Sequence, residues 1–192
     1  MKPLVLASSS PRRLQLLDML GIPSRVVVPD VDETLAAGET PEAYVVRLAR
    51  AKASLVAARE PGELVLGADT TVVVRGEVLG KPVSPEEAAV MLGKLAGRTH
   101  HVMTGVALAL GDRVLHALDV TDVTFRSLDR ETIEGYVATD EPMDKAGAYA
   151  VQGRGAALIE GIRGDFFGVM GLPLRLVLDL LERFGRPYRF TR

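Results

Sequence analysis

The stretch Leu64–Val74, LVLGADTTVVV, constrains the chain most. It is a nearly continuous apolar run, the pattern of a strand buried on both faces of a sheet. Asp69 sits in its middle. A carboxylate at such a place needs a metal, a cation or several donors, because an isolated buried charge is costly. The plainer reading is an aspartate satisfied by backbone amides at a strand break. Gly67 and Ala68, just before it, leave room for a ligand or another backbone to approach.

The start of the chain carries a second candidate. Leu4-Val5-Leu6-Ala7 reads as a buried strand, and Leu14, Leu16, Leu17 and Leu20 as the apolar face of a helix ending at Gly21. Between them lies Ser8-Ser9-Ser10-Pro11-Arg12-Arg13. Ser10 suits the N-cap and Pro11 the first helical position. Cations in a first helical turn oppose the helix dipole, at a cost of roughly 0.3–1 kcal/mol each. Hydroxyls, a helix N-terminus and two guanidinium groups suit phosphate; two solvated arginines on a capped helix are the alternative.

The rest of the chain interleaves strands and helices. Arg25–Val28 reads as a strand halted by Pro29, and the acids of Asp30-Val31-Asp32-Glu33 follow it. In isolation they read as a solvated loop, although three acids past a strand end could hold a divalent cation. Thr40-Pro41-Glu42 opens a helix to about Arg59. Lys52 falls on or beside its apolar face, with Leu48, Leu55 and Val56, so it either has a partner or snorkels to solvent. Arg47, Arg50 and Arg59 read as a wet face. Val78-Leu79 pairs back on the Asp69 strand through a turn at Arg75–Glu77, and Lys81 in Gly80-Lys81-Pro82 has the look of a surface lysine. Ser84-Pro85-Glu86-Glu87 is a capping box opening a helix that stops near Gly97. His100 to Phe125 reads as a long hairpin turning at Gly111-Asp112, and Asp129 caps a helix ending before Pro142. Asp144–Gly153 is a small-residue loop that either packs around a ligand or merely connects. A strand over Ala156–Ile159, a turn at Arg163–Asp165 and a last helix from Gly171-Leu172-Pro173 to Gly185 complete the chain. The pattern predicts an α/β fold with a mixed sheet.

The totals narrow the chemistry. At 192 residues the chain fits one domain, 1–192, with room for two lobes. A net charge of −2 argues against a nucleic-acid polymer or a membrane surface as partner. The absence of cysteine excludes disulfides and thiolate catalysis. No apolar run is long enough to span a bilayer and no N-terminal segment has signal-peptide form, so the cytoplasm is expected. His100, His101 and His116 lack metal-ligand spacing, so any metal should be a hard ion on carboxylate and phosphate oxygens.

Taken together, "LASSSPRR", "VDET", "RLARAKA", "LGADT", "GKP", "GRTHHVMTGV", "DKAGAYAVQG" and "GLPL" occur in the order of the Maf family of nucleoside triphosphate pyrophosphatases. The chain resembles that family from about Leu4 to the last helix. The resemblance implies a strongly twisted mixed sheet flanked by helices, of inosine triphosphatase-like (Maf/Ham) fold, in two lobes with a cleft between them. It implies Asp69 as the proton acceptor, Glu33 as the acid working with it at a metal, and Ser8, Ser10, Arg13, Lys52 and Lys81 around the triphosphate. Arg12, Thr70 and Gln152 match positions separating branches by substrate and are similar to the branch acting on dTTP and UTP. The branch preferring 7-methyl-GTP has tryptophan where Arg12 stands. The expected cofactor is a divalent cation, Mg2+ first and Mn2+ or Co2+ as substitutes. A homodimer is expected. A link to inhibition of septum formation makes a nucleotide-sensing regulator, binding without turnover, the rival to the enzyme.

Overall fold

Alternation of strand and helix signals resolves, in a computed structural model describing residues 2–190, into a mixed α/β architecture. The strands are β1 (Leu4–Ala7), β2 (Ser24–Val26), β3 (Val65–Val74), β4 (Glu77–Leu79), β5 (Thr99–Leu110), β6 (Arg113–Phe125) and β7 (Ile159–Arg163). The helices are α1 (Pro11–Met19), α2 (Pro41–Arg59), α3 (Pro85–Leu95), α4 (Arg130–Val137), α5 (Phe166–Met170) and α6 (Leu174–Arg183). The sheet order is β2-β1-β3-β5-β6-β7, with β4 also on β3. β1 runs parallel to both β2 and β3, while β4 and β7 pair antiparallel to β3 and β6. That mixture is the predicted one.

The chain divides into two compact units. The first comprises Met1–Asp69, Thr104–Asp119 and Gly171–Arg192, and the second Thr70–Met103 and Val120–Met170. The core of the first joins Val5, Ala7 and Val65 of the sheet to Ala49, Ala53, Val56 and Ala57 of α2. The core of the second gathers Val72, Leu92, Val123, Phe125, Tyr136 and Tyr149.

Close approach of α2 to the sheet in the first unit depends on two glycines. A Cβ on Gly67 of β3 would lie 2.4 Å from the Ala49 carbonyl oxygen, and one on Gly105 of β5 would lie 2.5 Å from that of Val45. Small residues on both surfaces let the helix rest almost on the strand backbone. Thr40 caps α2 by accepting from the Ala43 N–H at 3.3 Å, with Pro41 in the first helical position. Since alternate strand residues share a face, Asp69 follows Gly67 onto the side of β3 that meets α2.

Local differences from the sequence expectations have identifiable causes. β2 covers Ser24–Val26 rather than Arg25–Val28, in parallel register with Leu4–Leu6 of β1; Val27 N–H still reaches the Leu6 carbonyl at 3.0 Å. Ser10 stands at the start of α1, but its side chain makes no capping bond. The strand expected over Ala156–Ile159 is instead a 3-10 turn, Arg154–Leu158, followed by β7. The Ala156 N–H donates to the Gly153 carbonyl at 3.1 Å and the Ile159 N–H to that of Ala156, so these groups serve the 3-10 turn and not a ladder. The short helix α5 has no counterpart in the expectations.

Gly67→Ala should destabilise the protein by about 1–3 kcal/mol or more through overpacking, seen as a fall in Tm. Gly93→Ala is the opposite case: it lies exposed within α3, where an added Cβ meets nothing. It should raise stability by roughly 0.5–1 kcal/mol. Equal effects of the two substitutions would contradict the packing described.

Candidate functional site

Lys52 settles its own ambiguity. It is only 7% exposed, and its Nζ lies 2.7 Å from Asp69 Oδ1 and 2.5 Å from Glu33 Oε1. It does not snorkel; it joins two carboxylates that are 36 positions apart in sequence, from 33 to 69. Asp69 is 8% exposed, which answers what a carboxylate inside an apolar strand is paired with. Glu33 is the exposed member of the set. Burial pushes the Asp69 carboxyl above the ordinary carboxylate range; the charges of Lys52 and Arg13 pull it back, and Glu33 pushes it up again.

The opening turn contributes the second part. Arg13 is buried, contrary to a solvated arginine, and burial lowers its pKa from the usual guanidinium value against the opposing pull of Asp69. Its Nη1 donates to Ser8 Oγ at 3.0 Å and its Nε to the Gly171 carbonyl at 2.8 Å. Ser8 Oγ also accepts the Ser10 N–H at 3.1 Å. Thus Ser8, rather than the predicted cap Ser10, organises the turn, and Arg13 ties it to the Gly171-Leu172-Pro173 segment before α6. Arg12 is half-buried beside it.

Glu33 is held by a clamp that sequence reasoning missed. Tyr44 Oη donates to the Glu33 carbonyl at 2.8 Å, and Arg47 Nη2 to the Thr34 carbonyl at 3.0 Å. Arg47 also makes a two-pronged pair with Glu39, at 2.6 and 2.8 Å, and its guanidinium lies 5.6 Å from the centre of the Tyr44 ring. Glu39 in turn accepts the Ala36 N–H at 3.2 Å. The reading of Arg47 as part of a wet face is therefore corrected: it fastens the acidic loop to the first turns of α2. The signal available was the spacing of Tyr44 and Arg47, which stacks them on one helix face.

The remaining sequence candidates belong to the second unit. Thr70 is half-buried in β3, and Lys81 and Gln152 are exposed. The histidines behave as structural residues. His100 is buried, its Nε2 is 2.8 Å from Tyr149 Oη, and burial lowers its pKa to about 4, so it is neutral. His101 lies on the surface with Nδ1 2.8 Å from Asp122 Oδ1.

Among the described residues no group of three or more His, Cys, Asp and Glu gathers as a metal site. Glu33 and Asp69 nevertheless bring two hard oxygens around one cation, that of Lys52. That donor set fits a hard divalent ion whose other ligands come from substrate or water.

An α/β fold with a buried aspartate, a shared lysine and an arginine-bearing turn defines a site suited to phosphate chemistry. Residues 3–184 match the family described as Maf-like protein, and the chain belongs to that family. It is 56% identical over 187 residues to the dTTP/UTP pyrophosphatase of Symbiobacterium thermophilum, covering 97% of this chain and 96% of the relative. It is 51% identical over 186 residues to the dTTP/UTP pyrophosphatase of Escherichia coli K12, covering 96% and 94%. Among solved structures, the Ham1 protein of Staphylococcus aureus superposes with a TM-score of 0.50 at 16% identity, covering 95% of this chain and 97% of that one. This last similarity concerns the fold alone, and it is the inosine triphosphatase-like fold expected.

Removing the clamp should loosen the acidic loop while leaving the core intact. In Arg47→Ala, amide exchange at Thr34 and Ala36 should accelerate roughly tenfold, the scale of one charge-assisted hydrogen bond, with amides of β3 unchanged. Unchanged exchange at Thr34 and Ala36 would remove Arg47 from the role given to it.

Proposed function

We propose that this chain hydrolyses the α–β phosphoanhydride of dTTP and UTP, releasing the nucleoside monophosphate and pyrophosphate. The observation that carries the reading is Lys52 held between buried Asp69 and Glu33. Relatives named for this activity, aligned over nearly the whole chain, support it. A protein that only sensed nucleotide would gain nothing from carboxylates set beside the groups that meet phosphate, so the regulator of septum formation is disfavoured.

The chemistry follows from the residues. Water attacks the α-phosphorus; its proton passes to Asp69; the bond from the α-phosphorus to the bridging oxygen breaks, and its electron pair leaves with pyrophosphate. A carboxylate whose pKa is raised by burial is a stronger base than an ordinary one. Lys52 and Arg13 oppose that rise by favouring the ionised carboxylate. Arg13, Lys52 and Lys81 offset charge on the triphosphate, and Ser8 and Ser10 add hydrogen bonds. Arg12, Thr70 and Gln152 select the base; the amide of Gln152 can both donate to and accept from a pyrimidine edge. Glu33 and Asp69 would hold Mg2+, or Mn2+ or Co2+ in its place. Such an ion would draw negative charge from the phosphate oxygens. We place the protein in the cytoplasm as a homodimer acting on free nucleotides, modified pyrimidine triphosphates included. Among the described residues no helix is long and apolar enough to cross a membrane.

Hydrolysis of UTP in 18O-labelled water should put the label in the monophosphate. Label in pyrophosphate, or release of orthophosphate, would overturn the reaction. Asp69→Asn should lose about 10²–10⁴-fold in kcat without loss of folding. Because Asp69 must be ionised to accept the proton, kcat/KM should fall as pH drops through its raised pKa. That acid limb should lie above the ordinary aspartate range, near 4.

A further inference from the structure

Gln152 is exposed, and the backbone on either side of it is held by two residues with no role in the chemistry above. Tyr136 of α4 is 6% exposed. Its Oη accepts the Ala150 N–H at 3.1 Å and donates to Glu141 Oε1 at 2.8 Å. Glu141 Oε1 also accepts the Gly155 N–H, and Oε2 the Arg154 N–H, both at 2.9 Å. One carboxylate and one phenol thus grip the chain two residues before Gln152 and two and three residues after it. The fit leaves no slack: a Cβ on Gly153 would lie 2.2 Å from Glu141 Oε2, and one on Gly155 would lie 2.6 Å from Tyr136 Oη. Glu141 is itself fixed, since its carbonyl accepts Lys145 Nζ at 2.9 Å. Ahead of Gln152, buried Tyr149 is anchored on His100, and buried Ala148 adopts φ +59°, a conformation an alanine keeps only when its surroundings impose it.

We propose that Glu141 is a positioning residue for base selection: with Tyr136, its carboxylate sets the backbone on which Gln152 meets the edge of a pyrimidine base. This rests on the reading of Gln152 as a base-selecting residue. Burial pushes the Glu141 carboxyl up, but the Gly155 and Arg154 N–H groups and the Tyr136 hydroxyl hold it below the ordinary range. The grip is therefore intact across neutral pH. Glu141→Gln preserves size but replaces an acceptor oxygen with an NH2 donor, so at least one of the backbone N–H groups it now serves loses its partner.

The experiment compares wild type, Glu141→Gln, Tyr136→Phe and Gln152→Ala, using UTP and GTP, with Tm measured for each. Glu141→Gln should lower kcat/KM for UTP on the order of tenfold, mainly through KM, with GTP changed less than about twofold. The preference for pyrimidine should shrink correspondingly. A purely structural role would lower both substrates together, and that result overturns the proposal. Tyr136→Phe removes only the hydroxyl between Glu141 and Ala150; it should shift the preference the same way and carries the test if Glu141→Gln does not fold. Combined with Gln152→Ala, Glu141→Gln should narrow the preference no further. An altered preference in Gln152→Ala beside an unaltered one in Glu141→Gln and Tyr136→Phe defeats the inference alone. An unaltered preference in Gln152→Ala defeats the base-selection reading and the inference with it.

Discussion

The contact of Lys52 with Asp69 is the constraint on which the first unit is arranged. Each group is costly to bury alone, and together they satisfy one another at 2.7 Å. Their meeting requires that α2 lie against β3 more closely than ordinary side chains permit. Gly67 on the strand and Ala49 and Ala53 on the helix provide that proximity. An alanine-rich buried stripe on α2 is thus explained by the lysine it delivers, since larger residues would hold Lys52 Nζ away from Asp69.

Function and stability pull against each other at this pair. The folded-state pKa of Asp69 is raised above its unfolded value. The folded protein therefore binds that proton more tightly than the unfolded chain. Asp69's stabilising contribution is greatest below the unfolded carboxylate range and is lost as pH rises through the folded pKa. Above that folded pKa, where the base proposed here is ionised, the fold carries the cost of an incompletely solvated carboxylate. Lys52 reduces that cost, and the clamp of Tyr44, Arg47 and Glu39 adds Glu33 as the second partner of the lysine.

Residues whose type clashes with their local pattern were legible in the sequence. Asp69 interrupts an apolar strand, Lys52 interrupts an apolar helix face, and Arg13 opposes a helix dipole; all three prove to be buried. The mixed sheet and most element boundaries were legible for the same reason, because periodicity and capping are local. What escaped was side chain to backbone bonding across a few to a dozen residues. Arg47 looks like any exposed arginine until Glu39 and Thr34 are folded back onto it. Nothing in its pattern marks Glu141, beside the helix-ending Pro142, until it takes the N–H groups of Arg154 and Gly155. The 3-10 bonds from the Ala156 N–H to Gly153 and from the Ile159 N–H to Ala156 likewise moved the last strand beyond Ala156, where propensity alone placed it. The roles proposed for Thr70, Lys81 and Gln152 rest on the family resemblance, since nothing in their own patterns marks them.

The coupling of Lys52 to Asp69 can be read without turnover, by 13C NMR titration of the Asp69 side-chain carboxyl, assigned by its absence in Asp69→Asn. The midpoint should lie above the ordinary aspartate range in the wild-type protein. It should climb further in Lys52→Met, where the opposing charge is gone. A midpoint within the ordinary range, unmoved by loss of Lys52, would contradict the account.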